Sequence, residues 1–198
     1  MEGGGLSREF ACVVGGWGVG KYLLGQLAGH RFADKTLENF VWDVGNGYLR
    51  DFFYELIERR DWEKGVGLVG DVGVGKTHLL SALYKNRAWV SVFQGGGVPF
   101  WISFFDLVIE YREDRKVLKE LVENYDLIFV DDIWSVGASV EERNVVRELV
   151  FRCYDGRKVL CYTANWSYER WDVDERVRDR LREMCVEVDL VGSSFRGV

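Results

Sequence analysis

Gly70-Asp71-Val72-Gly73-Val74-Gly75-Lys76-Thr77 is the stretch whose reading decides the fold. It fits G-x-x-x-x-G-K-[ST] at every fixed position. An apolar run, Val66–Val69, precedes it, and an amphipathic stretch from Gly75 to about Phe93 follows. Strand, glycine-rich loop and helix in that order form a phosphate cradle. Glycines let backbone N–H groups curl around phosphate oxygens, and the helix N-terminus adds the positive end of its dipole. Lys76 is predicted to reach the β- and γ-phosphates, and Thr77 to ligate Mg²⁺. Together with the next residue, His78, the loop is the candidate site for ATP or ADP.

An upstream stretch, Gly15-Gly16-Trp17-Gly18-Val19-Gly20-Lys21-Tyr22, repeats the glycine and lysine spacing. Tyr22 stands where the motif needs a small hydroxyl for the metal, so this copy reads as a structural loop.

Working outward, short apolar runs alternate with amphipathic segments. This pattern predicts an α/β fold with a mainly parallel sheet. Helices are expected over Gly47–Arg60, Gly75 to about Phe93, Ser103 to about Tyr111, about Arg115–Asn124, Ser139 to about Tyr154, and Asp174 to about Cys185. Strands are expected at Val66–Val69, Val98–Ile102, Asp126–Val130, Val159–Thr163 and Val186–Leu190. Gly95–Gly97 stop the second helix. Ser103 caps the third, and Ser139 with Glu142 makes a capping-box pattern.

Three polar clusters sit at the ends of these elements. Val130-Asp131-Asp132 closes an apolar strand, where an acid can join the magnesium shell. Asp131 is the candidate metal ligand, and Asp132 the group that orients or deprotonates a water. Tyr162-Thr163-Ala164-Asn165 closes the next strand, and Asn165 can hold that water against the γ-phosphate. Arg176–Leu181 and Gly192–Arg196 supply arginines. Arginine stabilises charge on a transferring phosphoryl group, and a neighbouring subunit can provide it.

Composition sets outer bounds. The chain has 198 residues, 47% hydrophobic and 29% charged, with a net charge of −6, so it is not a basic nucleic-acid-coating protein. No apolar run is long enough to span a bilayer. MEGGGLSREF carries no basic region followed by an apolar stretch, so a cytoplasmic location is expected. Cys12, Cys153, Cys161 and Cys185 form no C-x-x-C pair, and the two histidines, His30 and His78, do not sit at zinc-ligand spacing.

Read together, these segments resemble the AAA+ ATPases of the bacterial helicase-loader type (DnaC, DnaI) and their transposition-helper relatives (IstB). Phe32–Phe40 looks like the segment leading into the core, Gly70–His78 like Walker A, and Leu127–Ile133 like Walker B. Thr163-Ala164-Asn165 looks like sensor 1. Arg176–Leu181 is similar to the arginine-finger segment, which implies Arg180 for that role. Gly192–Arg196 is similar to the sensor 2 motif, which implies Arg196. The chain departs from the pattern at Asp132, where many members carry Glu, and at Ala164, where Ser is usual. Only about 30 residues precede the match, so the loaders' helicase-binding domain is expected to be missing or much reduced.

The resemblance implies a three-layer P-loop sandwich with a mainly parallel five-stranded sheet and no C-terminal lid domain. Residues 1–30 would be a partly flexible N-terminal extension, and 31–198 the ATPase domain. It also implies hydrolysis of Mg-ATP, a homo-oligomer with Arg180 acting in trans, and single-stranded DNA and a replicative helicase as partners. Two other readings stand beside this one: a transposition helper acting on duplex DNA, and a nucleotide-gated scaffold with no DNA role. Arg112, Arg115, Lys116 and Lys119, near Phe104 and Phe105, are either a DNA backbone and stacking surface or an ordinary amphipathic helix pair.

Overall fold

A computed structural model describes residues 32, 34–59, 62–134, 138–192 and 194. The upstream loop at 15–22, Cys12, His30 and Arg196 lie outside these residues. Among the described residues, five strands alternate with six α-helices: α1 (Arg50–Glu58), β1 (Gly65–Val69), α2 (Lys76–Gln94), β2 (Pro99–Ser103), α3 (Phe104–Glu113), α4 (Val117–Asn124), β3 (Leu127–Asp131), α5 (Val140–Asp155), β4 (Val159–Ala164), α6 (Glu175–Met184) and β5 (Cys185–Asp189). The sheet order is β2-β3-β4-β1-β5, and every pairing is parallel. Each expected element is present to within a few residues.

Period-2 alternation along the strands builds three layers. In β3, Ile128 and Val130 face one core, while Leu127 and Phe129 face the other. In β2, Phe100 and Ile102 join the first core, and Trp101 the second. The first core lies against α3, α4, α5 and α6, through residues such as Leu107, Leu118, Leu149 and Leu181. The second lies against α1 and α2, through Phe53, Leu79, Leu83 and Tyr84. Strands buried on both faces read as continuous apolar runs, as the sequence does here.

Local signals set the helix ends. Ser103 Oγ accepts the Asp106 N–H at 3.1 Å. Ser139 and Glu142 bond reciprocally, so the capping box is present. Gly95, at φ 72°, closes α2 in the left-handed region. One helix starts later than its pattern. Asn46 turns its side chain back to accept the Asp43 N–H at 2.9 Å and makes no cap. The first turn, Gly47–Leu49, is then a 3₁₀ turn leading into α1. At the other end of α1, buried Arg87 donates to the carbonyls of Ile57 and Arg59 at 2.9 and 2.8 Å, with its guanidinium 4.7 Å from the Trp62 ring centroid.

The glycines of β1 are steric requirements. Cβ atoms at Gly65 and Gly67 would collide with the Leu160 backbone carbonyl and the Tyr162 ring of β4, respectively. Tyr162 is fully buried and extends its hydroxyl to Glu187 at 3.0 Å. We expect Gly65→Ala to lower the unfolding free energy by about 3 kcal/mol or to prevent folding, because β1 must move off β4. Gly47→Ala, where a Cβ meets nothing within 4 Å, leaves the denaturation midpoint close to wild type. Equilibrium denaturation of the two variants checks the difference.

Candidate functional site

Parallel α/β sheets present their chemistry at the carboxyl ends of the strands, because loops converge there. Here the loop after β1 and the tips of β3 and β4 meet. Gly70, Gly73 and Gly75 take φ values of 138°, 93° and 97°, a run of left-handed backbone that favours glycine. A Cβ at Gly75 would collide with the Phe40 ring, so the segment leading into the core closes directly on the loop.

The polar side chains form a connected set. Lys76 is 8% exposed and donates from Nζ to the carbonyl oxygens of Gly70 and Asp71 at 2.7 and 2.8 Å, and to Asn165 Oδ1 at 3.0 Å. Thr77 Oγ1 donates to Asp131 Oδ1 at 3.0 Å. Thr163 Oγ1 donates to the same oxygen at 2.7 Å and accepts the Asp132 N–H at 2.7 Å. Asp132 has φ 58°, an uncommon conformation for a residue with a side chain, though Asp tolerates it better than most. These groups line a cleft of about 810 Å³ with Phe40, Val41, Val72, Gly73, Gly75 and Asp132 on its walls.

The donor set suits a hard cation. Thr77 and Asp131 offer oxygen ligands at one point, in a cleft that Lys76 also lines. Mg²⁺ takes few protein oxygens and keeps waters and phosphate oxygens for the rest of its shell. The residues present therefore fit a magnesium–nucleotide pair.

Not every loop residue faces the cleft. Val74 is buried in the α1/α2 core. Gly70 and Asp71 border a second depression of about 400 Å³, between the ends of β1, β4 and β5. His78 lines the cleft, yet its Nε2 lies 2.8 Å from the Thr36 carbonyl oxygen. That oxygen can only accept, so the neutral ring carries its proton on Nε2. His78 thus pins the leading segment to α2, and Phe40 packs edge-on against its ring at 5.0 Å between centroids.

The arginines divide. Arg176 is largely exposed and pairs with Asp174 at 2.8 Å. Arg178 donates to the Trp171 carbonyl at 2.9 Å. Arg180 is not among the residues lining the cleft. Its guanidinium lies 3.4 Å from the Phe151 ring centroid and 5.0 Å from that of Tyr154, with Asp155 at 3.7 Å. One of its terminal nitrogens, Nη1, is buried with no hydrogen-bond partner.

Basic side chains of the helix pair are exposed and paired with acids. Arg112 and Arg115 both pair with Glu141, and Lys119 pairs with Glu123. Phe104 is in the core, whereas Phe105 is 73% exposed.

No protein-family model matches the chain. Its structure is similar to that of the DnaC helicase loader, with a TM-score of 0.68 at 22% identity, covering 82% of this chain and 99% of that one. It is also similar to the replication initiator DnaA bound to AMPPCP and single-stranded DNA, with a TM-score of 0.62 at 20% identity over 80% of this chain and 50% of that one. The fold is that of the AAA+ P-loop domains. In sequence, the chain is 26% identical to the chromosomal replication initiator protein DnaA of Mycoplasma genitalium over 159 residues, 74% of this chain and 35% of that protein. It is 25% identical to a putative insertion sequence ATP-binding protein of Sinorhizobium fredii over 146 residues, 70% of this chain and 47% of that protein. The chain thus spans about a third to a half of the length of the curated relatives it matches. Among the described residues, no helix is long and apolar enough to cross a membrane.

Sequence reasoning singled out Lys76, Thr77, Asp131, Asp132 and Asn165, which the structure brings together. It did not single out Thr163 except as part of a motif. The signal was a hydroxyl two residues before Asn165, at a strand end facing the acidic tip of β3.

Burial holds the His78 imidazole below its ordinary 6.5. The folded protein then binds fewer protons at this ring than the unfolded chain does. Stability contributed here is present above 6.5 and falls as pH drops through that value. Thermal unfolding at about pH 7.5 and about pH 5.5 should show a smaller loss for His78→Gln than for the wild type.

Proposed function

We propose that this chain is an ATPase that binds and hydrolyses Mg-ATP and works on DNA-replication machinery in the manner of a helicase loader. The observation that carries the reading is the convergence of Lys76, Thr77, Asp131 and Asn165 on one cleft at the carboxyl end of a parallel sheet. Similarity to the DnaC helicase loader, and to a DnaA that binds AMPPCP and single-stranded DNA, supports it. In this reading residues 31–198 form the ATPase domain and 1–30 an N-terminal extension, and the protein works in the cytoplasm.

Each residue has a task. Backbone N–H groups of Gly70–Thr77, with His78 next in line, wrap the phosphates of ATP or ADP. Lys76 exchanges the Gly70 and Asp71 carbonyls for the β- and γ-phosphate oxygens, which releases Asn165 Oδ1. Thr77 and Asp131 hold Mg²⁺, which neutralises charge on the β- and γ-phosphates when bound. Asp132 accepts a proton from the attacking water, or orients it, and Asn165 holds that water in line.

Arg180 acts in trans. It leaves its bed on Phe151 and supplies positive charge to the nucleotide of a neighbouring copy, so that ATP promotes a homo-oligomer. Arg196 takes the corresponding role from within the same chain. Single-stranded DNA and a replicative helicase are the partners. The insertion-sequence relative favours a second reading, a transposition helper acting on duplex DNA.

Steady-state ATP turnover tests both readings. Lys76→Ala should abolish turnover, and Arg180→Ala should lower it by about 10³-fold. Mixing the two inactive variants should restore part of the activity, since one supplies an intact cradle and the other an intact arginine. Stimulation by single-stranded DNA supports the loader reading, and stimulation by duplex DNA alone supports the transposition reading. Unchanged turnover in Lys76→Ala contradicts both.

A further inference from the structure

The geometry points to Thr163 as a positioning residue that sets both acids of the β3 tip: its hydroxyl aims the carboxylate of Asp131 and holds the backbone of Asp132 in its left-handed turn. This inference rests on the proposed reading of the cleft as a Mg-nucleotide site.

A threonine hydroxyl has one proton to give and two lone pairs to accept with. Here the proton goes to Asp131 Oδ1 at 2.7 Å, and one lone pair receives the Asp132 N–H at 2.7 Å. Thr163 is 1% exposed, so water does not compete for either bond. Its β-branched side chain on a strand is stiff at χ1, which fixes where the oxygen lies. The main chain adds a third point: the Ile133 N–H donates to the Thr163 carbonyl at 2.8 Å. Asp131, Asp132 and Ile133 are therefore clasped by one residue of the neighbouring strand.

This clasp explains two features. First, Asp131 Oδ1 receives two hydroxyls, from Thr77 at 3.0 Å and from Thr163 at 2.7 Å. Thr77 belongs to the candidate metal shell, and Thr163 holds the same carboxylate oxygen from the neighbouring strand. Carboxylates that ligate metals are commonly oriented by such hydrogen bonds. Second, Asp132 takes φ 58°, a left-handed conformation that is strained for a residue with a Cβ. A hydrogen bond to the buried Thr163 hydroxyl offsets that strain, and the turn places Asp132 on the cleft wall.

Thr163→Val keeps the shape and removes both bonds, whereas Thr163→Ser keeps both. Amide hydrogen exchange read residue by residue is the first measurement, and it needs no nucleotide. In Thr163→Val the Asp132 amide should exchange about 10-fold faster or more, while the Ile133 amide, bonded to the backbone carbonyl, keeps wild-type protection. The second measurement is magnesium dependence. Thr163→Val should bind ADP in EDTA as the wild type does, yet need about 10- to 100-fold more magnesium for half-maximal ATP binding. At saturating magnesium its kcat should fall with little change in KM. Thr163→Ser should behave as wild type in every arm. If Thr163→Val does not fold, Thr163→Ala carries the same measurements.

Wild-type exchange at Asp132 together with wild-type magnesium demand in Thr163→Val overturns the inference. A wild-type protein that binds no nucleotide instead overturns the reading of the cleft, and the exchange measurement still decides whether the clasp exists.

Discussion

One carboxylate oxygen, Oδ1 of Asp131, accepts a hydroxyl from Thr77 at the start of α2 and another from Thr163 near the end of β4. Three chain segments far apart in sequence meet there. Parallel strands cannot join through tight turns, so their ends are brought together only by crossovers and by contacts such as this. Lys76 completes the set by tying the loop after β1 to Asn165 at the end of β4. A charged, hydrogen-bonded knot of this kind stabilises the fold weakly, because desolvation offsets much of the attraction. What it provides is placement of oxygen and nitrogen atoms around a cleft.

The hydrophobic layers make that placement possible. Strands that bury both faces keep the sheet between two cores, so the tips of β1, β3 and β4 are held in fixed register. Gly65 and Gly67 let β4 approach β1 closely, with Tyr162 lying over the gap where side chains are missing. The segment leading into the core then closes one side of the cleft, pinned by His78 to the Thr36 carbonyl and by Ser81 Oγ to the Phe32 carbonyl at 2.9 Å.

Much of this was legible in the sequence because its signals are local. The loop motif has glycine, lysine and threonine at fixed spacing, and the strands read as unbroken apolar runs such as Leu127–Val130. Capping residues Ser103 and Ser139 marked helix starts within a turn. Features that depend on distant partners were not legible. Arg87 reads as one more helix-surface cation, yet it is buried and caps the carbonyls at the end of α1, some thirty positions earlier in the chain. Arg180 was singled out by its segment alone, and nothing local announced its bed on Phe151. Thr163 showed only a hydroxyl near a strand end. Its two partners are the last residue of β3 and the one after it, and strand order is not written in any single segment.

A crystal structure of the protein with Mg²⁺ and a non-hydrolysable ATP analogue tests the central claim most directly. The account predicts Lys76 Nζ on the β- and γ-phosphate oxygens and off the Gly70 and Asp71 carbonyls, with the metal between Thr77 and Asp131. A nucleotide bound elsewhere, or a metal whose shell includes neither Thr77 nor Asp131, contradicts it.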